Sequence, residues 1–443
     1  VAGIGCTFAA LCYAEFASFL PVEGSAYAYS YATMGEFFAW IIGWDLILEY
    51  AMASSAVSVG WSGYLGKFLN LFEIKLPFWL MNDSFTANSL LKEAAADPKK
   101  MTDLTNHFSS LDLPNVLGMN FSFNLPAFII VWIVTLILVK GIKEAANTNT
   151  VMVVIKIIVV LFIIIVGGMY INTANWTPFI PAAETITGPL GTHEAYGFMG
   201  IISGAAYIFF AYIGFDTVST QAGEAKNPQK DVPFGIIVSL IVCTVLYILV
   251  ALVLTGMVNF REIDLTAPIA DAFKRVGLTY AVLIISVAAI AGLTSVLIVM
   301  LLGQSRVFYA MSKDGLLPKN PFGILHDKFK TPYKASLLTG FVVSIIGALT
   351  PINVIAELVN IGTLLAFVMV CASVWIMRYK DPHRHRPFRT PAISIVAPLG
   401  ILFNLGMMLS LGVHNWERLF LWLAIGIIIY FLYSRKHSNL KKS

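Results

Sequence analysis

Eleven apolar runs, each about as long as a bilayer is thick, constrain this chain more than any single motif in it. Crossing the hydrocarbon takes ~20 residues of helix. The runs are Val1–Phe19, Phe37–Gly66, Leu125–Val139, Val151–Tyr170, Gly200–Gln221, Gly235–Val258, Tyr280–Met311, Ala335–Leu349, Val354–Met377, Ile393–Leu411 and Leu419–Tyr433. With 58% hydrophobic and 12% charged residues over 443 positions, the chain reads as an all-α polytopic membrane protein.

Lysine and arginine sort by side, which orients the spans. The loops holding Lys226 and Lys230, Lys313 to Lys334, Arg378 to Arg389 and the tail from Arg435 carry most of the positive charge. The alternate loops, with Lys67, Lys92, Arg261 and Arg275, carry less. The richer set is expected in the cytosol, with the C-terminus inside and, for eleven spans, Val1 outside. Because the chain begins within an apolar run, without Met or a signal peptide, one more helix is expected upstream of Val1.

Two polar excursions, Asn70–Asn124 and Ile171–Tyr196, read as outer loops, the first with a short helix at Asn88–Ala96. On the inner side Gly223 to Pro233 forms a charged turn, and Pro233 is expected near the start of the next helix. Cys6, Cys12, Cys243 and Cys371 all lie in apolar runs without metal spacing, so they read as small buried residues. No HExxH, GxGD or Ser/His arrangement occurs, and every His falls outside the spans, which argues against an intramembrane enzyme.

One span is interrupted. Ile201 to Phe210 is apolar enough for lipid, but Ala211-Tyr212-Ile213-Gly214-Phe215-Asp216 follows, with a carboxylate where hydrocarbon penalises one. A helix broken at that depth survives only facing protein or a wet cavity. In secondary transporters such breaks hold substrate, because freed amides and carbonyls bind its charged ends.

The motifs around this break resemble the amino acid–polyamine–organocation superfamily, and within it the cationic amino acid transporter-like group. The resemblance rests on Gly214-Phe215-Asp216, Gly223-Glu224, Asn227-Pro228-Gln229-Lys230, Arg306 to Met311, Asp314 to Leu317, Ile361-Gly362-Thr363 and Arg386-Pro387-Phe388-Arg389. Cys12 to Ala17, Gly24 to Tyr29, Gly43-Trp44-Asp45 and Leu48-Glu49-Tyr50 extend it upstream. It implies a leucine-transporter-type inverted-repeat fold of twelve helices, eleven of them present here. Val1–Phe19 then corresponds to helix two and Gly200–Gln221 to the broken helix six. Residues 1–378 form the transporter core, and 379–443 hold a basic cytosolic loop, helices eleven and twelve and a basic tail.

Carbonyls near Phe210, Ala211 and Ile213 are expected to accept bonds from a substrate ammonium, with Gly214 permitting the backbone departure. Phe210 either covers the substrate, as the aligned aromatic does in relatives, or packs against a neighbouring helix. Asp216 is expected to cap or orient the second half-helix. Lys156, among β-branched residues, must pair, snorkel or lose its proton. In proton-coupled relatives a lysine at the similar place takes the position of a sodium ion, which implies proton coupling without sodium. Glu49 is expected to act as a structural brace, bonded to helix-one backbone or to a polar neighbour, with a part in the proton path as the alternative. Ser54, a turn on, is expected to line the pocket.

Met300 stands where cationic-amino-acid members of the group hold a small hydroxyl residue. Its thioether offers a cationic side chain neither room nor an anionic partner. The alternative is a methionine facing lipid. The reading is a plasma-membrane permease, with proton-coupled uptake of small neutral, alanine-like L-amino acids, no cofactor and no nucleic-acid partner. A cationic amino acid transporter, an exchanger, or a transporter-like sensor that binds without flux are the alternatives.

Overall fold

A computed structural model describes residues 1–443 apart from 21–25, 117, 189–190, 221–224, 264–266 and 440–443. Gly24-Ser25 and Gly223-Glu224, quoted above, lie outside the described residues. The helices run in order α1 (Ala2–Phe19), α2 (Ala26–Met34), α3 (Glu36–Asn70), α4 (Ser84–Ala96), α5 (Pro98–His107), α6 (Leu125–Lys140), α7 (Ile142–Gly168), α8 (Gly197–Ile208) and α9 (Thr217–Thr220). After these come α10 (Pro228–Met257), α11 (Pro268–Arg275), α12 (Thr279–Lys313), α13 (Lys319–Phe322), α14 (Tyr333–Leu349), α15 (Ile352–Lys380), α16 (Ile393–Ser410) and α17 (Val413–Ile429).

Every expected span coincides with apolar helix. Among the described residues nine segments are long and apolar enough to cross a membrane alone, while α6 and α14 are shorter apolar helices. The architecture is all-α, as expected, and its only strands among the described residues are two small outer hairpins.

Two boundaries differ from the sequence reading. The outer helix starts at Ser84 rather than Asn88, because the Asp83 carboxylate accepts from the amides of Phe85 and Thr86 at 3.0 and 2.9 Å. A second outer helix, α5, follows it, capped by Asp97 on the Lys99 amide. Helix α10 begins at Pro228, so Pro233 lies inside the helix and not at its start. The earlier proline takes the first-turn place, where a missing N–H costs nothing.

Helix α3 is the central post, packed chiefly on α12 and α15 and also on α14 and α6. Small residues permit the close approach, as in other membrane helix pairs. A Cβ at Gly347 of α14 would collide with Ser58 of α3, and one at Gly340 with Thr135 of α6. The outer faces of α7 and α10 stay apolar and exposed, for example Ile158 and Ile165, Ile241 and Ile248. These are surfaces for lipid, so the polar groups collect inside.

Candidate substrate site

The interrupted span is a broken helix. Helix α8 tightens into a 3-10 turn at Phe209–Tyr212, Ile213 is extended, and Gly214 takes a φ of +123° before α9 begins. That φ is reached readily only by glycine. The break leaves backbone groups without helical partners, and named side chains satisfy many of them. Asn360 on α15 donates to the carbonyls of Ala206 and Tyr207 at 3.2 and 3.3 Å. The Tyr247 hydroxyl on α10 donates to the Ala211 carbonyl. The Gly214 amide donates to Oδ1 of Asp216 at 3.1 Å, and the Tyr50 hydroxyl on α3 to Oδ2 at 3.2 Å.

Helix α12 forms the facing wall. A Cβ on Gly214 would sit 3.6 Å from the Met300 Cε. One turn on, a Cβ on Gly303 would meet Thr217 at 3.3 Å and the Tyr50 ring at 3.5 Å. The start of α9 therefore has room against α12 only because residue 303 is small. An aromatic cluster flanks the break: Phe367 of α15 packs on Tyr13 at 5.5 Å, Phe215 at 4.9 Å and Phe209 at 5.4 Å between ring centroids.

A family model described as amino acid permease matches residues 1–433. The chain belongs to this family. A branched-chain amino acid permease of Bacillus subtilis is 44% identical over the whole chain and 86% of its own length. The methylthioribose transporter of the same organism is 41% identical with the same coverage. A vacuolar cationic amino acid transporter of Arabidopsis thaliana is 32% identical over 86% of the chain, which spans 57% of that relative. This is a family of membrane transport proteins and not of enzymes.

Several expected site residues of this permease do converge. Gly214, Asp216 and Met300 meet at the break, and Met300 is buried, which removes the lipid-facing alternative. Asp216 is fully buried at the turn, with one oxygen accepting from the Gly214 amide and the other from the Tyr50 hydroxyl. Phe210 is half-buried and packs against the main core. The three carbonyls are less free than the sequence suggested. Phe210 accepts from the Ile213 amide and Ala211 from Tyr247, leaving Ile213 without an internal donor among the described residues. A carbonyl has two lone pairs, so the occupied pair can still accept a second bond.

Glu49 is buried on α3 with Asp216 and Thr363 of α15 as neighbours, and no described residue meets either oxygen in ordinary hydrogen-bond geometry. The Thr363 hydroxyl donates instead to its own helix at Val359. Ser54, one turn beyond Tyr50, is fully buried, and its hydroxyl has no partner among the described residues. Lys156 is half-buried on α7, and its stem lies 3.7 Å from where a Cβ on Gly292 of α12 would be. It makes no hydrogen bond or ion pair among the described residues. Gly292 and Met300 are eight residues apart on α12, or about 12 Å along its axis. Lysine and break therefore share one helix.

Sequence reading missed Tyr50, Asn360, Tyr247 and Phe367. Asn360 carried a usable signal, an amide side chain within the apolar run of α15 next to Gly362-Thr363. The tyrosines and Phe367 carried none, since aromatic residues fill such spans throughout.

Proposed function

We propose that the protein is a proton-coupled permease that takes up neutral L-amino acids with apolar side chains across the cell membrane, its C-terminus in the cytoplasm. The observation that carries this is Met300 against Gly214, which lines the break with a soft apolar group. The carboxylate within the break, Asp216, is committed to the turn and to Tyr50. A zwitterion's charged ends suit the main-chain groups of the break, and its side chain then faces the methionine. The relative named for branched-chain amino acids supports an apolar side chain, and extends the expected alanine-like substrates to larger ones. Lys156, half-buried and without a hydrogen bond or ion pair among the described residues, is the proposed proton carrier, with no sodium required.

The test is uptake into proteoliposomes with labelled alanine, isoleucine and arginine, with and without a pH gradient, in sodium-free buffer. Accumulation of alanine or isoleucine driven by the gradient is the expected result. Arginine preference would favour the cationic reading, and flux only with internal substrate would favour exchange. Binding without flux would make the protein a sensor. Methylthioribose belongs in the same assay as a competitor, given the relative named for it.

A further inference from the structure

Away from the break, the end of α15, the loop after it and the start of α16 enclose a cavity of about 190 Å³. Its lining includes Trp375, Arg378, Tyr379, Arg389 and Ser394. Three features of this cavity point to one kind of ligand.

The first is charge. Arg378, Lys380, Arg384, Arg386 and Arg389 stand within twelve residues, against two carboxylates, Glu15 and Asp381. Glu15 takes Arg378 at 2.7 Å and Arg386 at 3.2 Å, whereas Arg389 is exposed and makes no hydrogen bond or ion pair among the described residues. Arg389 thus stands in the cavity lining as a cation without a counter-ion among the described residues.

The second is unused donors. The exposed Ser394 hydroxyl lines the cavity and makes no hydrogen bond among the described residues. Helix α16 starts without a side-chain cap at the same place. The amides of Ile395 and Val396 bond to the Ala392 carbonyl, and those of Ile393 and Ser394 have no partner among the described residues and can meet an anion.

The third is what lies alongside. Ile395, Leu399 and Leu402 follow Ser394 on one face of α16, and they are 60%, 44% and 65% exposed. A charged recess thus opens onto an apolar ridge, with Tyr379 and Trp375 at the junction, as aromatic residues sit at membrane interfaces.

We propose that this cavity binds the phosphate of an anionic phospholipid, whose acyl chains lie along the α16 ridge. The charge of Arg389 selects an anionic lipid over a zwitterionic one, and the ridge selects a lipid over a free phosphate. The site stands apart from the transport reading and does not depend on it.

The test uses the full chain in nanodiscs of phosphatidylcholine with phosphatidylglycerol, followed by native mass spectrometry of the lipid it retains. The wild type is expected to keep phosphatidylglycerol. Arg389→Ala should lower its retention about tenfold, or ~1.4 kcal/mol. Ser394→Asp should lower it as strongly, since a carboxylate suits a helix N-terminus but repels phosphate. Lys436→Ala, an exposed cation of the tail, should change nothing. Undiminished retention in either cavity variant would overturn the proposal, as would an equal loss with Lys436→Ala. Displacement of the lipid by glycerol phosphate at matched concentration would also overturn it, by showing a site for phosphate alone.

Discussion

Glu15 and Glu49 are both buried glutamates in the same bundle, and they are treated in opposite ways. Glu15 on α1 receives Nε and a terminal nitrogen of Arg378 at 2.7 and 2.8 Å and the Thr390 amide at 2.8 Å, with Arg386 beside it. Around it, the Thr390 hydroxyl donates to Leu11 and Ser18 to Phe388, so the basic loop is stitched to α1. Glu49 on α3 has no such partner among the described residues, although it lies near the break. A buried carboxylate surrounded by donors is a fastening, because removing it strands its partners. A region whose polar groups are left unfastened is able to change partners during a transport cycle.

Mutation can break or sharpen this contrast. The largest effect is expected at the fastening: Glu15→Ala leaves the wholly buried Arg386 side chain without its counter-ion and should cost ~3–5 kcal/mol, seen as lost folded yield and a lower melting temperature in detergent. Glu49→Gln, by contrast, should leave stability within about 1 kcal/mol of wild type, because it strands no partner. A comparable loss at both positions would erase the distinction. Next comes Lys156→Ala, which should abolish pH-driven accumulation while detergent-solubilised protein still binds substrate. An unaltered response to the gradient would remove the lysine from coupling.

A smaller change is expected from Met300→Ser, which opens room beside Gly214. Arginine uptake should rise several-fold relative to alanine, on the order of 1 kcal/mol in discrimination. Unchanged selectivity would take Met300 out of the pocket. The smallest effect belongs to the exposed outer pair Arg261 and Glu184, bonded at 2.7 and 3.3 Å. Hydrogen bonding to Arg261 holds the Glu184 carboxyl below its ordinary range. Its contribution to stability is therefore present above the ordinary glutamate value and lost as pH falls through the lowered one. Arg261→Ala should flatten that acid dependence of melting and leave uptake unaltered.

Much of the permease could be read directly from its residues. The spans followed from hydropathy, and the broken helix followed from Gly214 and Asp216 inside an apolar run. What surrounds the break was less legible. The turn at Ala211 looked open until Tyr247 of α10 supplied its donor. The helix expected at Asn88–Ala96 began a turn early and the helix after it went unforeseen, because single capping aspartates, Asp83 and Asp97, set their starts.

The order of apolar runs, the place of the break and the need for a glycine there were determined by sequence alone, because each depends on residues within a turn or two of one another. Which side chains close the site was decided only by the tertiary structure. Tyr50 finds Asp216 across 166 residues, and Glu15 finds Arg378 across 363. Such partners are chosen by how helices pack, and a period of 3.6 residues says which face a side chain takes but not which helix will come to meet it.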